Sequence, residues 1–593
     1  MYIDSLARKV VVWRGVYVSG PPASPGRRKR ALDLARMASL PFAEGRSGAV
    51  LAEARVLNLT PPSKIGSGIC FLDHMLDQLT SHAQLGVTIR CGVLDKDSPR
   101  PRAEKDCFAP LKDYATGLST RAHDQDIFVA CGTALGLALK RVVDEVASQA
   151  AAAAPPSSAA QGSAVFCSPL DESFTEASLE LRPPPERAGR CETRLVRTLQ
   201  LPLTTLTHTT HALTLTLTLN LTLTLTLTLT LTLTLTRTRC ETRLEPYGGF
   251  GGEKGSGRKW VGRYRTDLTP AFWRALAIGL GCDLRLVKVR GGNAHHQLES
   301  AFKAFARAFR AALDNLADGG AHGCAAAGAP PVPLGAPPAA PRCAERRRAT
   351  KETTIEVRVD LDAPYLTVDQ KSGAATAWDG ETKTATKMRA SVQPTPRVST
   401  GIPVLDAVLD AFAKAAGVEV VVHCEGDRHI DDHHTAEDVA ITLGQCLHEA
   451  FGDKAGFARM GCAEGEDEDQ AVRVRAVLDL SNRPHFESDL PFDEEYVGGA
   501  AMLDAAGEGP SPWDSLCGAV LSSEMLFHVF NSLTLEMRCT CHLEVLQDAK
   551  AEGHTRDLAL AAASAYGAAL SRAIRLDPRR RGAVASSKGT LSQ

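Results

Sequence analysis

Several stretches of this 593-residue chain occur twice in the same order, and no other feature constrains its fold as strongly. SGICFLDHMLDQL (Ser67–Leu79) returns as TGIPVLDAVLDAF (Thr400–Phe412), and ACGTALGLALKRV (Ala130–Val142) returns as VAITLGQCLHEAF (Val439–Phe451). LDESFTEASLEL (Leu170–Leu181) pairs more loosely with AVRVRAVLDLSNRP (Ala471–Pro484). AFKAFARAFRAAL (Ala301–Leu313) matches AAASAYGAALSRAI (Ala561–Ile574). The order implies a tandem duplication, with copy 1 over residues 47–313 and copy 2 over residues 346–593. Within each copy, strand-like runs (VTIRC, VEVVVHC, TIEVRVDL) alternate with amphipathic helical stretches, which predicts an α/β (α+β) sandwich.

The material between and around the copies reads differently. An Ala/Pro/Gly-rich segment over 314–345 cannot bury a core and separates the copies; a similar stretch runs from Ser148 to Ala164 inside copy 1. Residues 190–244 form a low-complexity insert. Leu and Thr alternate from Leu213 to Thr236, far longer than an ordinary strand, and RCETRL stands on both sides, at Arg190–Leu195 and Arg239–Leu244. Repeats of that kind point to translated repetitive DNA or a faulty gene model, and the insert is expected to be disordered or poorly packed. Residues 1–46 are a basic extension, whose composition fits an organelle transit segment and a plain basic tail equally. With 67 Lys+Arg against 69 Asp+Glu, nothing suggests a nucleic-acid or membrane partner. Sixteen scattered cysteines without CxxC spacing suggest a reducing compartment, cytoplasm or plastid, rather than a disulfide framework.

Chemistry concentrates in two HHxxE clusters. HIDDHHTAED supplies His433, His434 and Glu437, and GGNAHHQLESAFKAF supplies His295, His296 and Glu299, each at the start of a helical stretch. A carboxylate three and four residues after paired histidines shares their helical face. Imidazole with carboxylate suits borderline divalent metals. One such cluster arises by chance on a surface; two, each opening a helix, argue for a metal site.

FLDHMLDQLTSH, HIDDHHTAED, GGNAHHQLESAFKA, EMLFHVFNSL, DLSNRPHFE and the terminal ASSKG together resemble the imidazoleglycerol-phosphate dehydratases. The resemblance spans both copies and implies two modules of the ribosomal-protein-S5-domain-2-like type, each with an internal pseudo-repeat of sheet plus helices. It also implies a lyase of histidine biosynthesis acting on imidazole glycerol phosphate, a site holding two Mn2+ ions, and a homo-oligomer. Carried onto this sequence, the metal ligands are His74, His295, His296, Glu299, His433, His434, Glu437 and His528. The substrate-binding set is Gln78, His82, Lys303, Arg459, Arg483, Ser586, Ser587 and Lys588. The two metals would act as Lewis acids on the substrate's ring. Glu352 is the candidate proton shuttle, with Glu53 offered at the comparable place in copy 1, and Glu299 and Glu437 join them as catalytic carboxylates.

The copies have lost different parts of this set. Copy 1 has Gln125, Asp126 and Val129 where copy 2 has His433, His434 and Glu437, and Ala271 where copy 2 has His528. Copy 2 has Ala407 in place of His74, and GHTRDLAL (Gly553–Leu560) in place of the other HHxxE cluster. Each half lacks what the other retains, so one composite dimetal site drawn from both copies is expected. Two other readings stay open: a non-catalytic, metal-binding or structural homologue, and a gene model that joins two neighbouring genes.

Overall fold

In TTIEVRVD, branched apolar residues alternate with polar ones. The resulting strand, Thr353–Asp360, buries Ile355, Val357 and Val359 while Glu356 and Arg358 face solvent. Burying each such side chain contributes roughly 1.5–3 kcal/mol. The computed structural model describes residues 42–59, 61–94, 108–110, 123–151, 162–181, 239–248, 257–317, 341–368, 374–379, 384–389, 397–428, 430–467, 470–498, 520–548, 554–580, 582–586 and 591.

Four sheets share one design. A hairpin supplies an edge strand and a central strand, a later strand runs antiparallel to the central one, and a short strand lies parallel at the far side. In copy 1 the first sheet is ordered Ala43–Ser47, Val50–Asn58, Gly86–Leu94, Lys64–Gly66. The second is ordered Gly162–Leu170, Ser173–Leu181, Cys282–Arg290, Cys240–Arg243. Copy 2 repeats the pattern with Cys343–Ala349, Thr353–Asp360, Glu419–Gly426, Val398–Ser399. Its second sheet is Met460–Glu466, Val472–Asp479, Thr540–Asp548, His485–Ser488. The expected internal pseudo-repeat is therefore present in each copy.

The main helices are α1 (Cys70–His82), α2 (Asp124–Ala151), α3 (Thr269–Leu280) and α4 (Ala294–Ala317) in copy 1. Copy 2 contributes α5 (Pro403–Ala416), α6 (His433–Phe451), α7 (Ser523–Glu536) and α8 (Thr555–Ile574). They form a layer between the two sheets of each copy and pair across it: α1 with α4, α2 with α3, α5 with α8, α6 with α7. Equivalent glycines mark equivalent crossings. A Cβ at Gly136 would lie 2.3 Å from the Leu276 carbonyl, and one at Gly444 would lie 2.8 Å from that of Leu533, so only glycine lets these helices approach so closely.

The copies also pack on each other through their second sheets, where Cys167 and Phe174 meet Cys462 and Val477 in a shared cluster. Polar contacts surround it. Arg475 pairs with Glu176 at 2.7 Å, Arg290 donates to the Leu543 carbonyl at 2.8 Å, and the buried His542 donates to the Asp171 carbonyl at 2.7 Å.

Some predicted boundaries move. The strand Ala43–Ser47 begins within the stretch assigned to the basic extension, and α4 continues to Ala317. Of the segment Ser148–Ala164, the described residues are helical up to Ala151 and form a strand from Gly162. The end of the predicted insert is also structured. Cys240–Arg243 is the parallel strand of copy 1's second sheet and Leu244 is buried, because the sheet needs this strand at its edge whatever precedes it. The Leu-Thr alternation lies outside the described residues. Copy 2 carries an unforeseen three-stranded sheet, Tyr365–Val368, Ala374–Asp379 and Thr384–Arg389. No helix among the described residues is long and apolar enough to cross a membrane, and their cysteines form no disulfide.

Candidate metal centre

Short polar side chains fix the entrances of α1, α4 and α6 among the metal-ligand helices. The amide of Ser67 donates to Asp73 at 2.7 Å and that of Thr400 to Asp406 at 2.8 Å, which sets α1 and α5 alike and places His74 and Ala407 next in line. Asn293 accepts from the His295 amide at 2.9 Å and Asp431 from the His433 amide at 3.0 Å, fixing the starts of α4 and α6.

The structure gathers six of the eight predicted ligands into two triads. On α1 and α4, the ligand atoms of His74, His295 and Glu299 all lie within 4.8 Å of one another; on α6 and α7, those of His433, Glu437 and His528 do the same. In the first triad Glu299 Oε2 lies 3.1 Å from His295 Nε2 and 3.6 Å from His74 Nε2. Phe71 packs edge-on against His295, with ring centroids 4.9 Å apart. In the second, Glu437 lies 2.9 Å from His528 Nε2 and 3.5 Å from His433 Nε2. The remaining pair turn to acids beside the triads: His296 to Glu172 at 2.9 Å and His434 to Asp427 at 3.0 Å. Sequence reasoning missed both acids. Asp427 had a signal, standing just before the HIDDHH run, whereas Glu172 is joined to α4 only by folding.

Electrostatics prepare both triads for a cation. Burial alone would raise the Glu299 carboxyl, but the ammonium of Lys303 at 2.7 Å and the hydrogen bonds from His295 and His74 outweigh it and hold it far below the usual carboxylate range. The His528 hydrogen bond holds Glu437 down in the same sense, and Asp427 raises His434.

The predicted substrate residues divide between the copies and then converge. Gln78, His82 and Lys303 of copy 1 are buried. Desolvation pushes the His82 imidazole well below its ordinary value, and the charges of Lys303, Arg307, Arg459 and Arg580 push the same way. Its Nδ1 is buried without a hydrogen-bond partner. Arg459 of copy 2 therefore lies near Lys303 and His82 of copy 1 within one chain. Its guanidinium is already engaged, with Asp479 at 2.6 and 2.8 Å and with the Ala585 carbonyl at 2.7 Å, so it positions the segment that carries Ser586. Arg483 lies 3.1 Å from Asp171 of copy 1. Ser587 and Lys588 lie outside the described residues.

Glu53 and Glu352 prove not to be counterparts. Glu53 faces Arg90 across its sheet and pairs with it at 2.6 Å, and the matching register in copy 2 sets Glu356 opposite His423. That register puts Ala49, not Glu53, at the place of Glu352. Glu352 sits exposed in the turn before Thr353–Asp360, close enough to His434 to raise its pKa.

Each copy is thus a sheet–helix–sheet sandwich, and each carries, on a different helix pair, a His2Glu group that could hold a metal ion. The family model for imidazoleglycerol-phosphate dehydratase matches residues 234–309 and 400–508, one segment on each side of the central linker. The chain is 37% identical to imidazoleglycerol-phosphate dehydratase of Neurospora crassa over 255 residues, 43% of this chain and 97% of that protein. It is 34% identical to that of Pyricularia oryzae over 262 residues, 43% of this chain and 99% of that protein. It is 32% identical to the chloroplastic imidazoleglycerol-phosphate dehydratase 3 of Triticum aestivum over 252 residues, 42% of this chain and 73% of that protein. This chain belongs to the imidazoleglycerol-phosphate dehydratase family.

Proposed function

We propose that this chain is a hydro-lyase that removes water from imidazole glycerol phosphate to give imidazole acetol phosphate, using one composite dimetal site built from both copies. The carrying observation is the complementary survival of the two triads. Copy 1 has Gln125, Val129 and Ala271 where copy 2 builds its triad, and copy 2 has Ala407 where copy 1 has His74.

The donor sets fit a divalent metal such as Mn2+: each triad offers two imidazoles and a carboxylate already stripped of its proton. His296 and His434 would complete the two coordination sets, with Glu172 and Asp427 orienting their rings. Bound metal would supply Lewis-acid stabilisation of the negative charge that develops on the substrate's ring. Glu352 would take the proton from the carbon beside the ring and return one to the departing hydroxyl. Lys303, the neutral His82, Arg483, Ser586, Ser587 and Lys588 would hold the phosphate, with Arg459 positioning the last three. The triads sit on separate helix pairs, so sites would be completed between chains of a homo-oligomer. The compartment would be cytoplasm or plastid; one wheat relative is described as chloroplastic.

The test is a dehydration assay on the full chain with metal analysis alongside. Two Mn2+ per chain and turnover lost in both His74→Ala and His433→Ala are expected. Metal without turnover would favour the non-catalytic reading, and no metal above background would sink the site.

A further inference from the structure

Away from the triads, the second half of α4 faces the end of α8 and the residues that follow it. Between them lies a cavity of ≈ 90 Å³, with Arg307 and Arg310 on one wall and Arg572, Arg575 and Arg579 on the other. That volume is several times what a single water needs. Among the described lining residues only Asp314 and Asp577 carry negative charge. Arg579 consumes much of it, lying 2.6 Å from Asp314 and 2.9 Å from Asp577, and Arg310 shares Asp314 at 3.1 Å. Arg307 spends one amino group on the Ala458 carbonyl at 2.7 Å. What remains is unusual for buried guanidinium groups: Nε of Arg307 and both Nε and Nη1 of Arg310 are buried without a hydrogen-bond partner. Unpaired buried donors carry a full desolvation cost, and buried charge without a counterion costs more. Desolvation accordingly pushes Arg307 down to about 9 and lowers Arg310 as well.

We propose that this cavity binds a small tetrahedral oxyanion of the phosphate class, gripped by Arg307 and Arg310 of copy 1 and Arg572 and Arg575 of copy 2. Guanidinium forks match such an ion geometrically, and the ion supplies the missing acceptors and charge. The cavity adjoins the proposed phosphate-holding residues, since the Arg307 charge reaches His82 and Arg459, but neither His82 nor Lys303 lines it. Ala458 and Met460 line the cavity, whereas the Arg459 guanidinium between them is committed to Asp479. Because its walls come from different copies, the bound ion ties the two copies together. Inorganic phosphate and a phosphate monoester both have the required chemistry.

Thermal unfolding of the full-length chain tests this, in inorganic phosphate or glycerol phosphate against chloride at equal ionic strength. A ligand that binds only the folded chain raises Tm, here by about 2 °C or more at saturation. Arg310→Gln and Arg572→Gln, on opposite walls, should each raise the half-saturating concentration by about tenfold or more, while Arg483→Gln, in the proposed substrate pocket, leaves it unchanged. A response to phosphate alone identifies the free ion, and one to glycerol phosphate alone identifies a monoester. If Arg310→Gln does not fold, Arg572→Gln carries the comparison. No response beyond chloride, a response intact in the cavity variants, or one lost only in Arg483→Gln overturns the proposal.

Discussion

Glu352 and Glu53 show what register decides that composition does not. Both are glutamates near the first strand of their copy, and the sequence offers them as equals. In the sheet, Glu53 faces Arg90 and is buried, whereas Glu352 occupies an exposed turn beside His434. The two lie four residues apart in register, since Glu53 matches Glu356 and Ala49 matches Glu352, and nothing local in AEARVLNL reveals that offset. Glu352→Gln is therefore expected to lower turnover by roughly 10²-fold or more with Tm unchanged. Glu53→Gln should instead cost about 1–3 kcal/mol of stability in denaturant titrations, because Arg90 loses its buried partner, and should leave turnover per folded molecule intact. The reverse pattern would return Glu53 to the site.

At the scale of elements, the duplicated segments Ser67–Leu79 and Thr400–Phe412 were legible because the same apolar spacing survives in both. The strand Cys240–Arg243 was not: a long low-complexity run precedes it, and its place is set by pairing with Leu284–Val287, distant in sequence. The helix crossings also needed the fold, since Gly444 looks like any helical glycine until Leu533 and Glu536 are seen against it. Gly444→Ala should cost roughly 1–3 kcal/mol through overpacking, despite alanine's better helix propensity, as denaturant midpoints would report. The contact between the copies carries a pH signature. Burial pushes the His542 imidazole down to about 3 from 6.5. As pH falls through 6.5 toward 3, the unfolded chain takes up a proton here that the folded chain refuses, so stability present above 6.5 is lost across that window. His542→Gln keeps a donor for the Asp171 carbonyl without the titration and should flatten that loss in urea midpoints measured against pH; an unchanged slope would place the acid sensitivity elsewhere.

For the whole molecule, the question is whether the surviving triads meet within a chain or between chains. Within the chain each triad is built on its own helix pair, α1 with α4 and α6 with α7, and the ligand atoms form two separate groups rather than one. The family resemblance gave the list of ligands but not this division, which depends on how the helices pair across each copy. A site completed between chains makes a specific demand. His74→Ala disables the first triad of its own chain and His433→Ala the second, so each homogeneous assembly is inactive. Unfolded together and refolded as a mixture with Mn2+, the two variants would create some junctions where an intact first triad from one chain faces an intact second triad from the other. If junctions form at random in an equimolar mixture, about a quarter of them are intact, and turnover should recover toward that fraction of the unmutated protein. If the triads instead meet inside one chain, no mixture can assemble an intact pair, and activity stays at background however the chains are combined.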